Sequence, residues 1–249
     1  MQVKDFVILE QMPLARDVLR LVLGGTTEDF ATPGQFVNVR IEGCYLRRPI
    51  SVCDWDKTSC TLIYKVIGEG TARLAARKPG EKLNLLTGLG NGFSLLPEVR
   101  RPLLVGGGVG VPPLYGLAKR LCGGGDVRPL AILGFQGAAD VFYEKEFAAL
   151  GQVTVATADG SQGTKGFVTD ALDGLLPGSY DALYACGPEA MLRALWERVH
   201  LPPGRAQYSF ERRMACGFGA CMVCSCRTVS GSKRICKEGP VLFGEEILF

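Results

Sequence analysis

The stretch MACGFGACMVCSC, residues 214 to 226, places four of the chain's ten cysteines within eleven positions, and another, Cys236, follows shortly after. Cys216, Cys221 and Cys224 are spaced C-x4-C-x2-C, with Cys236 eleven residues further on. Thiolates at this spacing can wrap a [2Fe–2S] cluster in a plant-type loop, where Gly217 and Gly219 let backbone N–H groups approach the sulfurs. The other reading is a closed tetrahedral zinc site. Zinc ribbons usually carry two separated C-x2-C pairs, and only one close pair is present, so the spacing favours the cluster with Cys216, Cys221, Cys224 and Cys236 as its ligands. Cys226 comes too late to join them. Cys44, Cys53, Cys60, Cys122 and Cys186 read as small buried hydrophobes.

Two glycine-rich corners could hold phosphate. In LLVGGGVGVPP, a strand over Leu103 to Val105 enters Gly106, Gly107, Gly108 and Gly110, and a helix opens on Pro112 and Pro113. Glycines allow a tight turn and close approach of a pyrophosphate to the free N–H groups of the helix start, where proline costs no hydrogen bond. YACGPEAM repeats the pattern, with a strand ending at Cys186, then Gly187, then a helix from Pro188. Earlier, RRPISV offers Arg48 to a phosphate and the Ser51 hydroxyl to a ring nitrogen, while KVIGEGTARL brings Gly68, Gly70 and Thr71 to a short helix. Each of these stretches alone is also what an ordinary turn looks like; their order along the chain is the stronger signal.

The elements that must carry these groups change character along the sequence. The first third alternates apolar and polar residues in short runs such as FVILEQ, VLRLVL, QFVNVRI and CTLIYKVI, the pattern of an antiparallel barrel. From about Pro102, the apolar runs PLLVGG, PLAILGF, QVTVATA and YDALYACG alternate with helix-period segments PPLYGLAKRL, DVFYEKEFAAL, FVTDALDGLL and PEAMLRALWERV, which predicts a parallel sheet covered on both faces. HLPPGR, residues 200 to 205, then breaks the rhythm before the cysteines. The expected domains are residues 1–98, 99–203 and 204–249.

Composition excludes other classes. The 249 residues carry 28 Lys and Arg against 25 Asp and Glu, and this small excess, with no basic block, points away from nucleic acid. The longest apolar run is broken by Gly and Pro and is too short for a membrane span. Asp5 and Glu10 interrupt any signal-peptide core, so a reducing, cytoplasmic setting is expected. The single histidine, His200, reads as a helix-end or surface residue, which removes most His-dependent chemistry. Glu144 with Glu146, and Glu245 with Glu246, read as solvated faces.

Taken in order, the motifs resemble the ferredoxin–NADP reductase superfamily: a flavin barrel with Arg-x-x-Ser, then a nicotinamide domain with Gly-x-Gly-x-x-Pro (Gly108, Gly110, Pro113) and Cys-Gly-Pro (Cys186, Gly187, Pro188). With the C-terminal cysteine loop, the resemblance narrows to the electron-transfer subunits of B-type (NAD-linked) dihydroorotate dehydrogenases, carried also by GLGNGFSL, GFQGAADVFYEKEF, DGSQGTKGFVTDAL, ERRMACGFGACMVCSC and ICKEGPVLF. The resemblance implies an N-terminal antiparallel β-barrel binding FAD, a parallel α/β domain binding NAD and a small [2Fe–2S] module. It implies FAD contacts from Arg48, Pro49, Ile50, Ser51, Lys65, Ile67, Gly70 and Thr71, and NAD contacts from the Gly-x-Gly-x-x-Pro and Cys-Gly-Pro residues. The implied partner is an FMN-containing catalytic subunit, two of each chain forming a heterotetramer, with electrons running from dihydroorotate through FMN, cluster and FAD to NAD+ in pyrimidine biosynthesis. No catalytic acid or base is expected of this chain. Many superfamily members end in an aromatic residue that shields the flavin, but this chain continues past that point, so Phe249 is given no such role.

NADP users of this superfamily place basic residues after the second parallel strand. Here that place reads GFQGAADVF, with Gln136 and Asp140, which favours NAD. Asp159 has two open roles, orienting the nicotinamide side or capping a turn. The rival functions are the flavin and iron–sulfur small subunit of a ferredoxin-dependent NAD(P)H reductase or of a sulfide- or hydrogenase-linked complex, and, in a different class, a scaffold that holds only structural zinc.

Overall fold

In the computed structural model, which describes every residue except Asp126 and Pro177, the period-two runs of the first third become six strands. These are β1 (Gln2–Ala15), β2 (Val18–Gly24), β3 (Phe36–Val39), β4 (Arg48–Trp55), β5 (Ser59–Lys65) and β6 (Lys82–Leu89), with helix α1 (Glu69–Ala75) between the last two. They close an antiparallel barrel in the order β1-β2-β5-β4-β3-β6. Alternate residues such as Leu21, Leu23, Val37, Val39, Val52 and Leu62 fill its interior, as the strand period requires.

The second half forms strands β7 (Pro102–Gly107), β8 (Leu130–Phe135), β9 (Gln152–Thr157), β10 (Thr164–Lys165) and β11 (Ala182–Cys186), with helices α2 (Val111–Cys122), α3 (Glu144–Ala148), α4 (Val168–Asp173) and α5 (Glu189–Arg198). The sheet does not stop at residue 203. Strand β12 (Ala206–Ser209) adds parallel to β11, and β15 (Val241–Phe243) adds antiparallel to β12, giving a seven-stranded sheet in the order β10-β9-β8-β7-β11-β12-β15. Between them, β13 (Ser225–Thr228) and β14 (Gly231–Arg234) form a hairpin beside the cysteine loop. The expected boundary at 203/204 is thus crossed by backbone pairing, and the expected parallel sheet gains an antiparallel edge. Apolar residues of β12 and β15 share one core with the nucleotide sheet and with Cys224 and Cys236.

Three sequence expectations change. The helical pattern DVFYEKEFAAL yields only α3, because Tyr143 turns left-handed at φ 65° and its ring lies edge-on to Tyr115 at 5.0 Å. Cys44 and Cys122 are half-buried rather than core residues: the first lies in the loop before β4, and the second, at the end of α2, has its thiol 3.6 Å from the Leu150 carbonyl. Glu245 is exposed, whereas Glu246 is half-buried rather than on a solvated face. Glu246 pairs with Lys233 and accepts from the Phe243 amide at 3.0 Å, and Glu245 accepts from the Gly204 amide at 2.9 Å, so both tie down the C-terminal segment. His200 is exposed just beyond α5. Phe249 packs on Phe210 and Trp196, at 5.6 and 5.8 Å. Among the described residues no helix is long and apolar enough to cross a membrane.

Candidate functional site

At the carboxyl ends of β7 and β11, which pair in parallel from Pro102 to Gly106, the two glycine corners meet. A Cβ on Gly110 would collide with the Cys186 carbonyl and come within 2.7 Å of the Gly187 Cα, and one on Gly107 would lie 3.1 Å from Pro188. Gly110 is needed because two backbones touch there, whereas a Cβ on Gly107 would strike the Met191 sulfur at 2.7 Å. Gly108, by contrast, has φ +54° and open space where a side chain would go, so its backbone faces the crevice in which open parallel sheets bind ligands. Pro113 is buried in the first turn of α2. The Cys186 thiol is buried and pushed up to about 12, with a hydrogen bond to Ser209 opposing the shift, so it sits there neutral.

On the barrel, the paired arginines divide their tasks. Arg47 donates to the carbonyls of Asn38 and Asn84, both at 3.1 Å, and to the Asn84 Oδ1 at 2.6 Å; it braces three strands. Among the described residues Arg48, half-buried, hydrogen-bonds only to the Leu46 carbonyl and packs across Gly70, where any Cβ would strike the guanidinium. Its fork is therefore available to an anion beside the start of α1. Thr71 uses its hydroxyl locally, accepting from the Ile67 and Gly68 amides at 3.0 and 3.3 Å. Ser51 and Lys65 are half-buried, Ile50 is buried, and Pro49 and Ile67 are exposed, so the strand face and the loop after β5 leave an open shelf.

The cysteine loop gathers its thiols as two pairs. The Cys216 and Cys221 sulfurs lie 3.4 Å apart, and the Cys221 amide donates to the Cys216 sulfur at 3.4 Å. The Cys236 amide donates to the Cys224 sulfur at 3.4 Å. Burial raises the Cys216 thiol, but the amides of Cys221, Phe218 and Ala220 outweigh it and bring the group to about 6, within reach of the thiolate form. Burial and the neighbouring Cys224 push Cys236 to about 12, a rise that a bound cation would oppose. Among the described residues no three His, Cys, Asp or Glu side chains converge as ligands of a single metal ion do. Two thiol pairs fit two irons, one pair on each, better than one tetrahedral centre. Cys226 is buried on β13. Arg234 donates to the Gly219 carbonyl at 2.6 Å and holds the loop from the hairpin side.

Residues to which the motifs gave no fixed role join these places. Asn91 accepts from the Val241 amide at 3.1 Å and donates to its carbonyl at 2.7 Å, binding the end of the barrel to β15. Arg212 reaches Glu189, the first residue of α5, through both terminal nitrogens at 2.9 and 3.1 Å. Asp159 caps its turn by accepting from the Ser161 amide and hydroxyl at 2.9 and 2.6 Å, and those bonds hold it below the usual carboxylate range. It also lies against Gly137 at the end of β8. The loops after β8 and β9 are thus knitted into one rim, whereas Asp140 turns toward Arg16 of the barrel at 3.9 Å. Polar residues inside apolar runs, such as the Asn in QFVNVRI, were the available signal for such joints.

The family described as the iron–sulfur cluster binding domain of dihydroorotate dehydrogenase B matches residues 211–248, and the oxidoreductase NAD-binding domain matches residues 104–196. The dihydroorotate dehydrogenase B (NAD(+)) electron transfer subunit of Geobacillus sp. (strain WCH70) is 44% identical over 259 residues, covering 100% of this chain and 99% of the relative. Its counterpart in Bacillus caldolyticus is 47% identical over 254 residues, covering 97% and 96%. A chain from the solved NADH-dependent reduced ferredoxin–NADP oxidoreductase, a structure described for flavin-based electron bifurcation, superposes with a TM-score of 0.88 at 31% identity, covering 98% of this chain and 89% of that one. Full-length identity at this level, joined to a barrel, a nucleotide sheet and a paired-thiol loop in the same order, leads to one conclusion: the chain belongs to the family of dihydroorotate dehydrogenase B (NAD(+)) electron transfer subunits.

Proposed function

We propose that this chain passes electrons from the FMN of a separate dihydroorotate-oxidising subunit to NAD+, in the cytoplasm and as part of pyrimidine biosynthesis, within a heterotetramer of two of each chain. FAD exchanges a hydride with nicotinamide and single electrons with a [2Fe–2S] cluster, which is the conversion such a path requires. The observation that carries this reading is the meeting of the two glycine corners, the Arg48–Gly70 shelf and the paired thiols within one chain.

The residues divide the work. Cys216 and Cys221 hold one iron, and Cys224 and Cys236 the other, with the amides around Cys216 favouring its thiolate. Arg48 meets the FAD pyrophosphate, and Gly70 leaves room for the guanidinium. Ser51 faces the flavin ring from the strand that also carries Pro49 and Ile50, while Lys65, Ile67 and Thr71 edge the shelf. Gly108, Gly110 and Pro113, with Cys186, Gly187 and Pro188, keep the crevice at β7 and β11 open to nicotinamide. The ionised Asp159 on the neighbouring rim disfavours the extra phosphate of NADP. Residues 1–98 carry the FAD site, 99–203 the NAD site and 204–249 the cluster ligands, the last segment also lending β12 and β15 to the nucleotide sheet. Phe218, Met222 and Val223, exposed at 43, 60 and 59% on the cluster loop, form the face offered to the catalytic subunit, because one-electron transfer needs close approach.

The test is an anaerobic preparation of the chain alone and with a candidate FMN-bearing partner, assayed for flavin, iron and acid-labile sulfide. About one FAD and about two irons per chain, with dihydroorotate-dependent NAD+ reduction only in the complex, are expected. Flavin and iron without that activity would assign the chain to another electron-donating partner, and a colourless protein would end the redox reading.

A further inference from the structure

Asn38 is 1% exposed, yet it is a polar residue in the middle of β3. In the antiparallel pairing of β3 with β4, Asn38 stands opposite Pro49 and Phe36 opposite Ser51, so these four share one face of the barrel wall. Val37 and Val39 point the other way, into the barrel core. The shared face is the outer one: Phe36 packs in the core that includes Cys224 and Cys236. The wall on which Ser51 meets the flavin is therefore also the wall on which the cysteine loop is seated.

Asn38 makes the polar contact between the two. Its Nδ2 donates to the carbonyl of Cys216 at 3.4 Å; a carbonyl can only accept, which fixes the orientation of the amide. The next residue, Gly217, has φ +76°, and a Cβ there would strike the Asn38 Nδ2, so the loop is shaped to this amide. The Asn38 backbone is in turn pinned by Arg47 at 3.1 Å. The Asn38 Oδ1, however, is buried with no hydrogen-bond partner among the described residues. Burying an unpaired carbonyl is costly, and a leucine of similar volume would avoid that cost. An amide kept under those terms is not there for packing.

We propose that Asn38 is a positioning residue for electron transfer between flavin and cluster: its Nδ2 fixes the Cys216 end of the cluster loop to the flavin wall, and its Oδ1 is held for a hydrogen-bond donor that arrives with the bound cofactors. This rests on the cofactor reading above. Asn38 itself is neither oxidised nor reduced; two single electrons passing beside it, with one proton taken up from water, balance one hydride delivered to NAD+. The N–H dipole on the Cys216 peptide favours the additional negative charge of a reduced cluster.

The experiment uses the full chain in its complex with the FMN-bearing subunit. Iron and FAD content are measured first on the unsubstituted protein; absence of iron there sinks the cluster reading itself, separately from this inference. Asn38→Leu is then expected to keep flavin and iron and to leave the rate of FAD reduction by NADH unchanged. Its cluster should be harder to reduce, the flavin–cluster equilibrium moving about tenfold in an EPR-monitored titration, or about 59 mV for one electron. Gly217→Ala, which crowds the same amide from the loop side, should shift the equilibrium in the same direction. A flavin–cluster equilibrium within threefold of the parent in Asn38→Leu overturns the proposal. So does loss of iron from Asn38→Leu combined with an unshifted potential in Gly217→Ala, which would reduce Asn38 to a packing residue.

Discussion

Gly116 of α2 lies against the carbonyl oxygen of Cys53 on β4, where a Cβ would stand 2.5 Å from that oxygen. This contact sets the spacing between the barrel wall and the nucleotide sheet, and it is flanked by Lys119 paired with Asp54 at 2.5 Å and by Arg120 over the Trp55 ring at 4.4 Å. Gly116→Val must push the two bodies apart. Overpacking of this kind costs about 1–3 kcal/mol, so calorimetry should show a melting temperature lower by about 3–10 °C. Stopped-flow reduction of FAD by NADH should slow more than nicotinamide binding weakens. An unchanged hydride-transfer rate would show that the spacing is set elsewhere.

The paired thiols predict unequal effects among neighbouring cysteines. Cys221→Ser should abolish most of the bound iron and the visible cluster absorption while flavin remains. Cys226→Ser, buried on the hairpin in the nearby core, should retain the iron and lose only modest stability. Equal iron loss in both variants would refute the assignment of the four ligands.

Flavin retention should depend on Arg48 and on the space over Gly70. Arg48→Ala removes the phosphate partner proposed above, a loss of about 1.5–3 kcal/mol for a charged hydrogen-bonding group, so FAD affinity should fall about 10- to 100-fold with the iron content unaltered. Gly70→Val should produce a similar fall by displacing the guanidinium. Equilibrium dialysis of the variants against FAD measures both.

Asp159 is expected to discriminate between nicotinamides. Its hydrogen bonds to Ser161 keep it ionised at neutral pH, and a carboxylate on the rim repels a second phosphate. Asp159→Ser should raise kcat/KM for NADPH relative to NADH by about tenfold, equivalent to about 1.4 kcal/mol. A ratio that does not move would assign Asp159 to turn capping alone.

Asp29 gives a stability prediction with a defined pH window. Burial raises its carboxyl, but bonds from Lys4 and Thr87 outweigh this and hold it below the usual value. A carboxyl depressed in the fold stabilises it above the unfolded value, near 3.9, and stops doing so as pH falls through the lower folded value. Asp29→Asn should therefore cost about 1–2 kcal/mol at pH 7, with the gap from the parent closing in urea melts below about pH 4. A constant gap across that range would contradict the assignment.

The chemistry of this protein is written locally in its sequence. The cysteine spacing, the glycine corners and Arg48 with Ser51 are short-range patterns, because a loop that wraps a cluster or cradles a phosphate draws most of its groups from a few consecutive residues. The barrel was legible for the same reason, since a half-buried strand must alternate. Tertiary structure alone decided how these pieces join. β12 and β15 enter the nucleotide sheet by backbone hydrogen bonds that any side chain can make, so residues 204–249 gave no sign that they would complete it. Gly116 against Cys53, Asn91 against Val241 and Asn38 against Cys216 join residues 63, 150 and 178 positions apart. No periodicity or motif spans such distances; these contacts arise only when two separately formed surfaces are pressed together, and they set the distances over which electrons must pass.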